Sequence, residues 1–267
     1  MRGRGIAFHL QLAFTLLLAS FLIVPVLASM LAGVTANYLS GVAGGLTLRW
    51  LGEVWSGYAG QVVSSLGLGL ACLACTLVLG VPAAYVLARR QGHVARMIEE
   101  LLVMPVAVPG LATALALIVT YGTWGDFRTS WSFILVGHVL FTLPFMVRSV
   151  LAVMAAIDLK TLEEGAASLG ATFGQRFLGV VLPNARPGIV AGALMVLTLS
   201  VGEFNMTWLL HTPLTKTLPV GLADAYASLR LEVASAYTLL FFVMIVPLLV
   251  AMQLLSKPLG SGRRQDR

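Results

Sequence analysis

Apolar positions in this chain neither alternate with polar ones nor keep to a single helical face; they come in long runs. Six such runs cover residues 10–31, 62–88, 101–121, 132–153, 188–210 and 237–255. Each is close to the roughly 20 residues that carry a helix across the hydrocarbon layer of a bilayer. The runs are apolar all round, without the ten-residue alternation of a membrane barrel strand. The pattern therefore predicts an all-α integral membrane protein with six transmembrane helices. The first run follows Met1-Arg2-Gly3-Arg4 and is longer than the roughly 7–15 residues of a signal peptide's apolar region, so it reads as a retained span. The third carries Pro105, Pro109 and Gly110 near its start, which a membrane helix accommodates when neighbours satisfy the freed backbone groups.

Composition strengthens this reading. With 58% hydrophobic and 10% charged residues and a mean hydropathy of +0.92, the chain lacks the polar surface of a soluble globule. The formal charge of +6 does not point to nucleic acid, because the cations stand at the ends of the apolar runs and form no stripe interleaved with aromatics. Of the 17 Lys and Arg residues, 13 fall on one side of the predicted topology, and only Arg49, Arg128, Lys216 and Arg230 fall on the other. Cytoplasmic loops retain positive charge, so both termini are expected in the cytoplasm. The chain then divides into residues 1–60, a first helix with a Gly-rich external segment; 61–256, five further helices with a cytoplasmic loop at 156–187; and a cytoplasmic tail, 257–267.

Catalytic chemistry finds little footing. The four histidines, His9, His93, His138 and His211, lie far apart, and no metal-ligand spacing is present. No Ser, His and acid arrangement suggests a membrane-embedded hydrolase, and no phosphate-loop motif occurs, so any ATP chemistry must be supplied by another subunit. Cys72 and Cys75 sit in an uncharged apolar run, where a thiol is a small buried hydrophobe.

The longest polar cytoplasmic stretch, between the fourth and fifth runs, has a helical pattern of its own. Leu159, Leu162, Ala166 and Leu169 recur at steps of three and four, with Lys160, Glu163 and Glu164 on other faces, and the pattern stops near Gly170. Leu162-Glu163-Glu164-Gly165-Ala166-Ala167-Ser168-Leu169-Gly170 followed by Val180-Val181-Leu182-Pro183 resembles the cytoplasmic signature of binding-protein-dependent ABC transporter permeases. That signature is Glu-Ala-Ala, three residues, Gly, nine residues, Ile-x-Leu-Pro. Glu164, Ala166, Gly170, Leu182 and Pro183 match it, while Gly165 replaces an alanine and Val180 the isoleucine. The resemblance implies the MetI-like permease fold with cytoplasmic coupling helices, in a bacterial inner membrane. It implies a second permease subunit, two ATP-binding subunits that hold ATP and Mg, and a periplasmic substrate-binding protein. No cofactor is expected in this chain. Glu164 would meet a basic residue of the ATPase, and Glu163, Gly165, Ala166 and Gly170 would belong to the same docking knob.

Glu203 lies within the fifth apolar run, where a charge is costly and a cavity-facing placement is the default, and Ser200 and Asn205 are candidate pathway neighbours. A structural hydrogen bond to a neighbouring helix explains Glu203 equally well. Gly202-Glu203-Phe204 and Thr217-Leu218-Pro219 resemble the permease subgroup for polyamines, iron, sulfate, thiamine and phosphonates. A polyamine or another small solute is the expected substrate. The alternative is a self-sufficient secondary transporter or channel with Glu203 in its ion or substrate site. Arg148 reads as a headgroup-snorkelling cation, and Gly188 and Gly192 as a pair permitting close helix contact.

Overall fold

A computed structural model describes residues 6–90 and 92–256. The expected tail at 257–267 and the basic start at Arg2 and Arg4 lie outside the described residues. Among the described residues the protein is mainly helical, and β pairing is limited to one bridge, Thr35 with Leu46. Its helices are α1 (Ile6–Ala32), α2 (Arg49–Arg89), α3 (His93–Ala107), α4 (Gly110–Tyr121), α5 (Asp126–Thr129), α6 (Trp131–Ala156), α7 (Leu159–Ser168), α8 (Phe173–Arg176), α9 (Leu182–Val201), α10 (Asn205–Leu210), α11 (Leu218–Ala227) and α12 (Leu231–Ser256). A π turn, Phe177–Val181, joins α8 to α9 without a break. Five helical stretches are long and apolar enough to cross a membrane, and α3 and α4, bent by 100°, pass the same test of length and composition together. Pro109 causes that bend: it forces Val108 into extended backbone (ψ 130°), which ends α3 before the apolar run is over.

Two compact units are present. The first comprises residues 1–59 and 221–244, and the second 60–220 and 245–267. In the first, Gly33 touches the α12 backbone, where any Cβ would lie 2.7 Å from Ser235 and Ala236. Polar groups fasten the loop after α1: the Trp50 indole donates to the Thr35 carbonyl at 2.9 Å, and the Tyr38 amide donates to Glu232 at 2.8 Å. Arg230 pairs with Glu53 and donates to the Tyr58 hydroxyl at 3.2 Å.

In the second unit, α6 and α9 form the main helix pair. The Gly188 and Gly192 pair makes it possible. A Cβ on Gly188 would lie 2.5 Å from the Ser149 carbonyl oxygen, and one on Gly192 3.2 Å from the Met146 Cα. Buried Val81, Met146, Val150, Val181, Ala185 and Val196 fill the space among α2, α6 and α9. Leu68, Leu117, Phe133, Ile134, Met206 and Leu210 form a further core cluster. The Cys72 thiol is buried and hydrogen-bonds the Thr142 hydroxyl at 3.1 Å; both cysteines are free thiols.

Candidate functional site

The loop between α6 and α9 is built from strong local signals. Asp158 opens α7 as its cap, accepting from the Thr161 hydroxyl at 2.6 Å and the Thr161 amide at 3.2 Å. These two bonds hold its carboxyl below the usual carboxylate range. Gly170 ends the helix. With φ +84° it occupies the left-handed region, its amide donating to Ala167 at 2.9 Å while Ala171 donates to Ala166 at 3.1 Å. That bond pair is the Schellman stop, which glycine adopts without a Cβ penalty. Two residues later Thr172 and Gln175 form a capping box that starts α8. Val180 lies in the π turn, where its carbonyl accepts from the Asn184 side chain at 2.8 Å. Leu182 and Pro183 follow the π turn directly and begin the α-helical part of the stretch, α9.

Which face of α7 is buried differs from the expected stripe. Leu159 and Glu163 point inward, whereas Leu162 is 43% and Leu169 89% exposed. The reason is a polar receptor on α2. Tyr85 donates to Glu163 Oε1 at 2.7 Å, Arg89 donates to the Tyr85 hydroxyl at 3.0 Å, and Arg89 Nε lies 3.4 Å from Glu163 Oε2. The Tyr85 ring meets Phe177 edge-on at 5.3 Å, so one α2 side chain touches both α7 and the π turn. Glu164 points the other way, exposed beside Lys160 at 3.8 Å. Gly165 faces open space and Ala166 is half-buried. Glu164, Leu169 and Phe173 thus remain outside on the knob.

The fifth apolar run is not one helix. α9 stops at Val201, and Gly202 to Phe204 separate it from α10. Glu203 is the cause: its Oε1 accepts from the Met206 amide at 2.7 Å, and its Oε2 from the Thr207 amide at 2.8 Å and hydroxyl at 2.7 Å. The carboxylate therefore caps the start of α10. At the other end Arg128 donates to the carbonyls of Leu210 at 2.9 Å and Leu209 at 3.3 Å. His138 completes the cluster from α6, with Nδ1 2.8 Å from the Ser200 hydroxyl and Nε2 2.8 Å from the Thr207 hydroxyl. Ser200, Glu203, Thr207 and His138 form one network, whereas Asn205 is exposed. Sequence reasoning gave His138 no role, because its partners lie 62 and 69 residues away.

Over residues 77–260 the chain matches the family described as "Binding-protein-dependent transport system inner membrane component". It belongs to that family. This permease is 30% identical over 224 residues to the putrescine transport system permease protein PotI of Escherichia coli, covering 79% of this chain and 77% of that one. It is 28% identical over 197 residues to the sulfate transport system permease protein CysW of Synechocystis sp., covering 68% and 71%. Among solved structures, a bacterial ABC transporter involved in importing the acidic polysaccharide alginate superposes with a TM-score of 0.70 at 15% identity over 94% of both chains. The inward-facing MetNI methionine ABC transporter gives a TM-score of 0.57 at 20% identity, covering 73% of this permease and 91% of that chain. The permease is thus a multi-pass membrane subunit of a binding-protein-dependent ABC importer.

Proposed function

We propose that this permease forms, with a second permease subunit, a solute pathway that alternates between the two sides of the inner membrane. Two ATP-binding subunits would bind ATP and Mg and press on the knob, a periplasmic binding protein would deliver the solute, and both termini would lie in the cytoplasm. The chain would hydrolyse nothing itself. The knob carries this reading: α7 and α8 meet at a Schellman stop and leave Glu164, Leu169 and Phe173 uncovered, as a docking element for a basic, apolar cleft requires. Glu163 would hold the knob to α2, Gly165 and Ala166 would permit close approach, and Val180, Leu182 and Pro183 would seat it on α9. In the pathway Asn205 would face the solute, while Ser200 and Glu203 would fix the shape of the break, since their polar atoms are bonded within the chain.

The relatives' solutes divide between a cation, putrescine, and an oxyanion, sulfate. The polyamine reading rests on the PotI similarity and on the one acidic residue at the break. The test is copurification of a tagged chain with its ATPase, then uptake into proteoliposomes of radiolabelled putrescine and sulfate with the cognate binding protein. ATP-dependent uptake supports the proposal, and uptake by the chain alone without ATP refutes it. A normal rate with Gly170→Val and Glu164→Lys together would remove the knob from the mechanism.

A further inference from the structure

Beside the knob, the second unit holds a cavity of about 660 Å³ between the ends of α2 and α6 and the starts of α3 and α7. This lies within the roughly 300–1,000 Å³ typical of ligand sites. Arg90, Arg96, Arg148 and Lys160 line it, against only two carboxylates, Glu99 and Asp158. Asp158 is already committed to Thr161. Among the described residues, the guanidinium groups of Arg90, Arg96 and Arg148 make no hydrogen bond or ion pair. Neighbouring Arg89 behaves differently, spending its charge on Tyr85 and Glu163. Arg90, Arg96 and Arg148 are all exposed and free to turn toward the cavity, and their planar forks suit phosphate oxygens.

The rest of the wall is not what a free aqueous anion needs. Leu87 and Ala88 of α2 and Leu151 and Ala152 of α6 give it an apolar side. Arg148 lies two turns before the end of α6 at Ala156, about 12 Å along the axis at 1.5 Å per residue. The cavity therefore extends about two turns along α6 from its end. Cations at several levels beside alkyl side chains match an amphiphile with an anionic head.

We propose that this cavity is a binding site for an anionic phospholipid. Its phosphodiester is held by Arg90, Arg96 and Arg148, and its glycerol and first methylenes lie against Leu87 and Leu151. Bound there, the lipid bridges the end of α2, the start of α3 and the start of α7, next to the element that docks the ATPase.

The test uses the full chain, delipidated in non-ionic detergent and examined by native mass spectrometry with phosphatidylglycerol, phosphatidylcholine, or inorganic phosphate with glycerol 3-phosphate. The expected result is retention of one phosphatidylglycerol at least tenfold tighter than phosphatidylcholine, undiminished by millimolar phosphate. Combining Arg90→Gln, Arg96→Gln and Arg148→Gln should abolish that preference, while a charge-matched triple of Arg49→Gln, Arg263→Gln and Arg264→Gln keeps it. Should the first triple fold poorly, Arg148→Gln alone should weaken retention severalfold and Arg148→Lys less. Equal binding of the two lipids, retention unaffected by the Arg148 variants, or displacement by glycerol 3-phosphate would each overturn the assignment.

Discussion

Replacing Tyr85 with Phe isolates the contact that ties α7 to α2. The ring keeps its packing against Phe177, and only the hydroxyl that donates to Glu163 at 2.7 Å is lost. Tyr85 is 5% and Glu163 2% exposed, so water does not readily replace that bond. A hydrogen bond to a charged group in such a place is worth about 1.5–3 kcal/mol. Arg89 stays 3.4 Å from the carboxylate, but its side chain is 48% exposed, so what remains of that pair is about 0–1 kcal/mol. Local opening of α7 should therefore become roughly 10- to 150-fold more frequent, at tenfold for each 1.4 kcal/mol. Amide hydrogen exchange of the whole chain in nanodiscs reads this directly: peptides over Leu159–Ser168 lose protection and those over Gly110–Tyr121 do not. Glu163→Gln keeps an acceptor for Tyr85 but loses the charge, so its effect should fall between the parent and Tyr85→Phe. Exchange of α7 within twofold of the parent in the Tyr85→Phe protein would refute the tie.

Opposite signs are expected for two glycines of the knob. Gly165→Ala fills open space in mid-helix and should stabilise by about 0.5–1 kcal/mol, whereas Gly170→Ala, at φ +84°, should destabilise by about 1–2 kcal/mol, both read from thermal melting. Glu203→Gln sets a side-chain amide against backbone and hydroxyl donors at the start of α10; a loss of about 1–2 kcal/mol and reduced uptake are expected in melting and proteoliposome assays. Because Asp158 is held below its unfolded value, its contribution is complete above that value and is lost as pH falls through the lower folded one. Exchange at the start of α7 should therefore be insensitive to this group near neutrality and accelerate only in acid, with Asp158→Asn abolishing the acid step. Cysteines placed at exposed Gly45 and Leu214, in a chain lacking Cys72 and Cys75, should react with impermeant maleimide from outside intact spheroplasts.

The apolar runs made the helical class legible, because runs apolar on every face satisfy their backbone in a bilayer as helices and lack the alternation of a barrel. The knob was legible for a local reason: its stop at Gly170 depends on neighbours one to five residues away. What depended on distant partners was not. The turn of Glu163 toward the core follows from Tyr85, 78 residues earlier, and no periodicity in α7 announces it. Likewise the fifth run reads as continuous because Met206 to Leu210 are mostly apolar, yet Glu203 finds its strongest partners in the next turn's own amides and interrupts the helix. Gly188 and Gly192 look like a chance pair until Ser149 and Met146 are seen beside them.

The uninterrupted helical stretch Phe173–Val201 has a mechanical consequence. Its 29 residues extend about 40 Å at 1.5 Å per residue. One end is the knob; the other is the break held by Glu203. A rod of that length pivoting by 10° about its midpoint displaces each tip by roughly 3–4 Å in opposite directions. If the proposed coupling acts on the knob, a push there would reach the break as a stroke of comparable size. The π turn is the one place along the shaft where the winding departs from α geometry. Rewinding it would rotate the knob end about the shaft's own axis, so the same rod can deliver torque as well as tilt.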